Sequence, residues 1–386
     1  MESNLRTYLD NAATSWPKPP QVIAAMSEFY QSLGGAAGRS SHAAGGNSDG
    51  IVSKCRQALG ELINAGRNDH VAFAHNGTDA LNIAIHGLVR PHDHIIVSSL
   101  EHNSVLRPVA FCRDQKHVSV TRIGTTSEGI VDLEELQAAI QPNTRMICLT
   151  HASNVSAVIQ PVELVGNLCR QHGLIFLIDA AQTVGHASIN VKSFQCDVLA
   201  AAGHKGLYGP LGTGFLFVSE RVANEIIPYR QGGTGTESQS DIQPAGLPMG
   251  LESGNLNVGG IAGLIAGLEF VKATGISKIA SHGQSMINLL KEGLDGLRGF
   301  RWIGSDIQPR VPIASLVVDD WDVHELAAIL DSTFGIQVRA GLHCAPHAVV
   351  DAKSNVGLPT LRFSPGWFTT THEIDHTTAA LRKICG

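Results

Sequence analysis

The stretch Leu174-Ile175-Phe176-Leu177-Ile178-Asp179-Ala180-Ala181-Gln182 decides the fold of this chain. Its five consecutive apolar residues, 174–178, fit a strand that is buried on both faces, as strands of a parallel sheet are. Asp179 then stands at the carboxyl end of the strand, which is where open α/β sheets bind their ligands. The stretch predicts a buried parallel sheet with a carboxylate at its ligand-binding edge.

Six further apolar runs on either side of this stretch have the same character. They are 71–74, 94–97, 118–123, 146–149, 196–202 and 214–218. Amphipathic segments with the apolar spacing of helices lie between several of them, at 79–88, 133–140 and 162–172. The alternation of strand and helix predicts an α/β fold with a mainly parallel, seven-stranded sheet.

Beyond residue 259 the pattern changes to that of a smaller α+β unit. Helical spacing occurs at 261–273, 276–297 and 323–334, with an apolar run at 313–318 and short extended pieces around Val338 and Leu361. A chain of 386 residues exceeds what one hydrophobic core usually supports. We expect a large domain over 15–260 and a small C-terminal domain built from 1–14 together with 261–386.

Composition excludes several classes of function. The net charge of −6 gives no basic surface for nucleic acid or acidic membranes. The seven cysteines are an odd number without a Cys-x-x-Cys pair, which favours a reducing compartment over a disulfide framework or structural zinc. No leader-like or 18-residue apolar segment occurs, and no His-Glu-x-x-His pattern marks a metal site. We expect a cytoplasmic protein without a metal.

The chemistry of the predicted sheet edge depends on a second motif, His204-Lys205, which follows the run 196–202. A lysine amine can form a Schiff base, and an aspartate such as Asp179 can pair with a pyridinium nitrogen, the two groups that pyridoxal 5'-phosphate (PLP) requires. Alone, Lys205 fits a solvated loop charge and Asp179 fits a helix cap. Together they predict a PLP site.

Other polar residues follow neighbouring strands. Gly77 and Thr78 open a helix directly after the run 71–74, which suits a phosphate, although an ordinary capped turn has the same pattern. His102 follows the next strand and could stack on a pyridine ring and exchange protons, because imidazole titrates near neutrality; a helix cap is the simpler alternative. Asn154 also lies just past a strand.

The C-terminal unit adds a thiol and a guanidinium. Cys344 lies in a polar turn, 339–346, where Arg339 and His343 could favour a thiolate, although most single cysteines are small buried hydrophobes. Arg362 could bind a carboxylate bidentately, or it could be a surface arginine on a strand. These two residues are candidates for a nucleophile and a substrate clamp.

Five segments carry a family resemblance: 8–15, 101–104, 179–182, 203–206 and 339–346. In these segments the chain resembles the cysteine desulfurase and selenocysteine lyase family, in the class V aminotransferase group, over about residues 9–375. The compact turn around Cys344 resembles that of the short-loop desulfurases. The resemblance implies PLP fold type I, a homodimer and an amino-acid substrate.

The resemblance also implies roles for individual residues. Lys205, Cys344 and His102 would be catalytic, with Lys205 holding PLP, His102 stacking on its ring and Cys344 taking sulfur from L-cysteine as a persulfide while L-alanine leaves. The remaining cofactor and substrate contacts would come from Gly77, Thr78, Asp179, Gln182, His204 and Asn255 for PLP, and from His42, Asn154 and Arg362 for the substrate. The sulfur would pass to an acceptor protein.

Three positions depart from the family pattern. Ala202 replaces a hydroxyl residue that would bond the phosphate, Asn255 stands where a threonine would reach the partner subunit, and 367–370 replaces a Tyr-Asn-Thr pattern. The sequence therefore leaves two alternatives beside a cysteine desulfurase. One is a selenocysteine lyase or another PLP-dependent sulfur amino-acid lyase, and the other is a non-catalytic scaffold paralogue.

Overall fold

The computed structural model describes residues 6–38, 43–67, 70–237, 239–350 and 356–386. Its strands are β1 (Thr7–Tyr8), β2 (Val71–Ala74), β3 (His94–Ser98), β4 (Ser119–Ile123), β5 (Thr144–Thr150), β6 (Ile175–Asp179), β7 (Val198–Ala202), β8 (Gly214–Val218), β9 (Phe300–Trp302), β10 (Ala314–Val318), β11 (Ile336–Gln337), β12 (Arg339–Gly341) and β13 (Thr360–Phe363). Its helices are α1 (Pro20–Glu28), α2 (Ala43–Leu62), α3 (Gly77–Leu88), α4 (Asn103–Lys116), α5 (Leu133–Ala138), α6 (Val162–Gln171), α7 (Val258–Thr274), α8 (Ile276–Gly293), α9 (Val323–Phe334) and α10 (Thr371–Cys385).

The central sheet has seven strands in the order β2-β8-β7-β6-β5-β3-β4. Strand β8 runs antiparallel to both of its neighbours, and the other neighbouring pairs are parallel. Each predicted apolar run overlaps one of these strands. The α/β class and the mainly parallel seven-stranded sheet are confirmed.

Strand β6 shows why the sheet is buried on both faces. Phe176 and Ile178 point into the apolar layer that contains α2, α6 and α7. Ile175 and Leu177 point into the opposite layer, which contains α3 and α4. All four are at most 2% exposed, and burial of each such side chain contributes about 1.5–3 kcal/mol. An uninterrupted apolar run is what a strand between two helix layers requires.

The register of the sheet places the carboxyl ends of its strands side by side. Thr150, the last residue of β5, pairs with Asp179, the last residue of β6. Asp179 also faces Ala200 of β7. The segments that follow these strands therefore leave from one edge, where their side chains can meet.

A smaller antiparallel sheet, β12-β13-β10-β9, forms with α8, α9 and α10 a separate apolar cluster. The N-terminal segment joins it: β1 pairs with β11, and Leu9 is buried in the same cluster. Helix α7 instead packs in the core of the large sheet. The domain limits 15–260 and 1–14 with 261–386 stay a prediction.

Helices α7 and α8 are the pair of described helices that comes nearest to a membrane span in length and hydropathy. Within the described ranges, no single helix has the length and hydropathy to cross a membrane. The two satisfy that test only when they are taken together, and they meet at a bend of 81°. Eleven residues of α7, from Val258 to Val271, are buried inside the protein.

Candidate active site

A cavity of about 330 Å³ lies at the carboxyl edge of the large sheet. Nine of the residues that the sequence singled out line it: Gly77, Thr78, His102, Asn154, Asp179, Gln182, His204, Lys205 and Arg362. Ala12 and Ala13 of the N-terminal segment, Ala202 and Arg339 also line the wall. The cavity therefore combines loops of the large sheet with two other parts of the chain.

Lys205 and Asp179 are the ionisable pair at its base. Removal from bulk water lowers the pKa of Lys205 from 10.5 to about 8, with the Asp179 charge opposing the shift. Burial raises the pKa of Asp179, although Ala181 N–H donates to Asp179 Oδ1 at 2.9 Å and Lys205 favours the ionised form. The lysine thus has a substantial neutral, nucleophilic fraction near physiological pH.

Two glycines bring the turn after Lys205 close to the turn after Asp179. A Cβ atom on Gly206 would lie 2.3 Å from the carbonyl oxygen of Val184. A Cβ atom on Gly185 would lie 2.1 Å from the carbonyl oxygen of Gly206. Only glycine fits at both positions, and this close approach sets the lysine beside the aspartate.

The anion-binding part of the site is formed by α3 and His204. Asn76 caps α3 by accepting a hydrogen bond from Asp79 N–H at 2.9 Å, and Gly77 and Thr78 form the first turn. Burial lowers the pKa of His204 to about 4, and its Nδ1 atom is buried without a hydrogen-bond partner. An unpaired ring nitrogen beside a helix N-terminus fits a phosphate group.

Gln182 lies between this site and the N-terminal segment. Its amide nitrogen donates to the carbonyl oxygen of Ala12 at 3.1 Å. The carbonyl oxygen of His204 accepts from Ser15 N–H at 3.0 Å and from Lys18 Nζ at 2.8 Å. The segment after β1 therefore fixes the turn that carries Lys205.

His102 caps α4 and also lines the cavity. Its Nδ1 accepts from Ser104 N–H at 3.0 Å, so the neutral ring carries its proton on Nε2. Burial, followed by the charges of Lys205 and Arg339, lowers the pKa of His102 to about 4. The expectation that this imidazole titrates near neutrality is therefore wrong, because its charged form would be poorly hydrated and close to cations.

Ser104 is a site residue that the sequence did not single out. Its hydroxyl lies 2.7 Å from Thr78 Oγ1 and 2.8 Å from His102 Nδ1. The three side chains form one hydrogen-bonded group along the cavity wall. A hydroxyl two residues after a histidine at a helix start was the available signal.

The guanidinium of Arg362 is fully buried and paired. Its Nη2 donates to Asp10 Oδ1 at 2.6 Å, and its Nη1 donates to the carbonyl oxygen of Asn154 at 3.3 Å. The Asn154 amide donates to the carbonyl oxygen of His343 at 2.7 Å. Asp10 lies in segment 8–15, one of the five that carry the family resemblance. Its pairing with a residue 352 positions away was not predicted.

Cys344 lies in a tight turn that is tied to α4. His343 and Cys344 have φ angles of 52° and 60°, and Ala345 N–H donates to the carbonyl oxygen of Leu342 at 2.9 Å. Asn103 N–H donates to the carbonyl oxygen of Cys344 at 2.6 Å. The left-handed conformation of two non-glycine residues costs conformational energy, which these bonds offset.

Of Arg339 and His343, only Arg339 can place a positive charge next to the Cys344 thiol. Arg339 Nη2 lies 3.5 Å from Cys344 Sγ. Burial and the charges of Arg362 and Arg339 lower the pKa of His343 to about 3, so it supplies no positive charge. His343 Nε2 instead lies 2.9 Å from Thr360 Oγ1 and braces the turn.

Cys344 lines a second cavity, of about 440 Å³, beside the first. Thr78, His102 and Ser104 line both cavities. The thiol therefore lies close to the wall that the two cavities share, and Arg339 reaches it from the first one.

One predicted site residue, His42, lies outside the described residues. Another, Asn255, is not among the residues that line the two cavities. Asn255 lines a separate small cavity together with Glu252 and Asn257. In the part of the chain that the structure describes, no group of three or more His, Cys, Asp or Glu side chains is placed to hold a metal ion.

Comparison with known protein families identifies the class of protein that has this fold and this lysine-containing cavity. Residues 7–377 match the family model of the class-V aminotransferases, and the chain belongs to this family. The members of this family are PLP enzymes. The resemblance noted in the sequence is confirmed.

Several relatives and solved structures to which the chain is similar are cysteine desulfurases. The chain is 33% identical over 383 residues to a probable cysteine desulfurase of Methanothermobacter thermautotrophicus, covering 98% of this chain and 94% of that one. It is 31% identical over 385 residues to a cysteine desulfurase of Salmonella typhimurium, with 98% and 93% covered. The apo structure of a cysteine desulfurase from Thermococcus onnurineus superposes with a TM-score of 0.91 at 29% identity, covering 99% and 95%. A cysteine desulfurase from Escherichia coli gives 0.88 at 26% identity, covering 98% and 94%.

Proposed function

We propose that this protein is a PLP-dependent cysteine desulfurase that converts L-cysteine to L-alanine and carries the sulfur as a persulfide on Cys344. One observation carries the proposal: Cys344 Sγ lies 3.5 Å from Arg339 Nη2, beside the cavity that contains Lys205 and Asp179. This contact holds the sulfur beside the cavity and gives it a charged hydrogen-bond donor. The similarity to cysteine desulfurases over nearly the whole chain supports the same function.

The residues of the cavity fit PLP. Lys205 would hold the cofactor covalently, and its pKa of about 8 leaves the amine available for that reaction. The first turn of α3 and the unpaired Nδ1 of His204 would hold the phosphate. Asp179, which is shielded from water, would pair with the protonated ring nitrogen, because a buried carboxylate is stabilised by a cation.

PLP, when it is bound, supplies an electron sink for the α-carbon of an amino acid. Arg362 and Asn154 would receive the substrate carboxylate, since both line the cavity. In its neutral form His102 carries a proton on Nε2, and this N–H can donate a hydrogen bond to the amino acid. Together, Arg362, Asn154 and His102 would hold the amino acid in one orientation relative to Cys344.

Cys344 performs the sulfur transfer. Its thiolate attacks the substrate sulfur, a new S–S bond forms, and the bond between the substrate Cβ and its sulfur breaks. The electron pair of that bond stays with carbon, which takes up a proton, so that alanine leaves. Cys344 keeps the sulfur as a persulfide, which an acceptor protein or a thiol can take in a second exchange.

We also propose that the protein acts as a homodimer. Between β8 and α7 the chain exposes the large apolar side chains of Ile227, Tyr229, Ile242 and Met249. Exposed apolar side chains in a segment with little regular structure suit an interface between copies. Asn255 would then contact the phosphate of the partner subunit. Sedimentation of PLP-loaded protein at micromolar concentration tests this, and a monomer would contradict it.

A product assay tests the proposed activity. The purified, PLP-loaded protein is incubated with L-cysteine and a reducing thiol, and alanine, sulfide and pyruvate are measured. We expect alanine and sulfide in equal amounts. In a parallel incubation without the reducing thiol, mass spectrometry should find an added sulfur on the Cys344 peptide. Pyruvate as the main product would instead support an eliminating lyase.

A further inference from the structure

The ion pair between Asp10 and Arg362 has no role in the steps above. It joins the segment after β1 to strand β13. The side chain of Arg362 is 1% exposed and that of Asp10 is 21% exposed. A guanidinium that is shielded so completely from water needs an anion close to it, and Asp10 is the carboxylate that fulfils this need in the described structure.

The backbone holds Asp10 in a fixed position relative to Arg362. Asp10 forms a parallel bridge with Ser364, two residues beyond Arg362 in the chain. Asn11 N–H donates to the carbonyl oxygen of Ser364 at 3.1 Å, and Ser364 N–H donates to that of Leu9 at 2.8 Å. The carboxylate therefore contacts the guanidinium from a segment that backbone hydrogen bonds hold in place.

The pairing leaves part of the guanidinium without a partner. Arginine has five N–H donors in a planar fork. In the described contacts Nη2 bonds Asp10 and Nη1 bonds the carbonyl oxygen of Asn154, whereas Nε is buried without any hydrogen-bond partner. A buried donor without an acceptor is rare, and a carboxylate ligand that accepts from Nε and from the neighbouring N–H would satisfy it.

We propose that Asp10 is a positioning residue for the substrate carboxylate. By bonding Nη2 it fixes the rotation of the guanidinium, so that the remaining N–H groups of Arg362 face the amino acid in the cavity. The inference rests on the proposed function only in taking an α-amino acid as the ligand. Asp10 does not contact the reacting atoms, and it acts through Arg362.

The test compares three variants of the PLP-loaded protein with the wild type. Asp10→Ala removes the hydrogen bond, and Asp10→Asn keeps an oxygen that can accept it. Ser364→Ala is the matched control, because its hydroxyl bonds Ala12 N–H and the carbonyl oxygen of Leu9 in the same segment without contacting Arg362. The dissociation constant of L-alanine is measured from the change in visible absorbance, and kcat and KM are measured with L-cysteine.

We expect Asp10→Ala to raise the alanine dissociation constant and the KM for cysteine by about tenfold or more, with kcat changed by less than about threefold. Asp10→Asn, which keeps the acceptor but loses the charge, should lie between Asp10→Ala and the wild type, and Ser364→Ala should stay within about threefold of the wild type. If Asp10→Ala does not accumulate as folded, PLP-loaded protein, Asp10→Glu replaces it. Displacement of the carboxylate by one methylene should weaken alanine binding in the same way.

Three outcomes would overturn the inference. They are wild-type alanine binding in Asp10→Ala, equal damage in Asp10→Asn, and equal damage in Ser364→Ala. Binding of alanine can be measured whether or not the protein is a cysteine desulfurase. If the protein binds alanine but forms no alanine from cysteine, the proposed function is contradicted, and the effect of Asp10 on alanine binding can still be measured.

Discussion

Arg339 and Cys344 are joined by a contact of 3.5 Å between Nη2 and Sγ, within one short piece of chain. Strand β12 carries the arginine, and the turn that follows it carries the cysteine. The cation and the nucleophile therefore lie on one short piece of chain. The large domain holds this piece through Asn103 N–H, which donates to the carbonyl oxygen of Cys344.

This contact predicts the effect of Arg339→Gln on the thiol. The variant should slow the alkylation of Cys344 by iodoacetamide at pH 7 by about tenfold, because the sulfur loses the cation that lies 3.5 Å from it. Arg339→Lys, which keeps a charge, should be affected less. Mass spectrometry of the Cys344 peptide gives the rate, and equal rates in the wild type and Arg339→Gln would show that the contact is irrelevant to reactivity.

Cys344→Ala should separate cofactor binding from sulfur transfer. The visible absorbance of bound PLP should be unchanged, since Cys344 does not line the main cavity. Alanine formation from cysteine should fall by about 100-fold or more, because the attacking sulfur is gone. Arg362→Ala is the control that should weaken binding of any amino acid.

A variant Cys344→Ala that keeps most of the cysteine-to-alanine rate would exclude Cys344 as the persulfide carrier. The selenocysteine lyase alternative would then replace the desulfurase, because selenium can leave without an attacking thiol.

The pKa of Lys205, about 8, predicts how cofactor loading depends on pH. The neutral amine is the reactive form, so the rate at which apo-protein takes up PLP should rise from pH 6.5, reach half of its maximum near pH 8 and level off above about pH 9. Stopped-flow absorbance measures this rate, with Lys205→Ala as the variant that forms no covalent link. A rate that keeps rising up to pH 10 would mean that the pKa of the lysine is not lowered.

Four buried imidazoles predict a loss of stability in acid. Burial lowers the pKa to about 4 or 3 in each of His102, His151, His204 and His343. Below about pH 6.5 the unfolded chain then binds more protons than the native one, so the free energy of unfolding falls as the pH drops towards 4. Glu101, with its pKa raised to about 8 by burial, and Asp179 act in the opposite sense.

Because the four histidines outnumber the two carboxyl groups, we expect a maximum of stability near about pH 6.5. Urea unfolding at pH 5, 6 and 7 measures the dependence. His151→Asn, which lies outside the cavity, should flatten the slope below pH 6.5. A slope that this variant leaves unchanged would contradict the explanation.

The sequence predicted the large sheet well because each of its strands is an apolar run between helix layers. It missed α1, α2, α4 and α10, the three-residue strand β9, and the two-residue strands β1 and β11. The twenty residues of α2 include four glycines, and α10 is mostly polar, so neither carries a strong apolar pattern. Strands of two residues are too short for any alternation to be detected.

The site was predictable where a residue directly follows a strand, as Asp179, His102 and Lys205 do. It was not predictable where a contact depends on tertiary distance. The ion pair of Asp10 and Arg362, and the pKa of His102, both result from burial that only the folded chain defines. Local pattern identifies which groups are present, whereas packing decides their charge.

Asp10 and Arg362 are 352 positions apart, so a ribosome synthesises the two members of this ion pair at very different times. The sheet strands from 71 to 218, together with Lys205, are synthesised long before residue 362. A growing chain can therefore assemble its lysine pocket while Asp10 still has no arginine to pair with. Recognition of the amino acid is the last property that the molecule gains, and a chain that stops before residue 362 would keep the lysine without the substrate clamp.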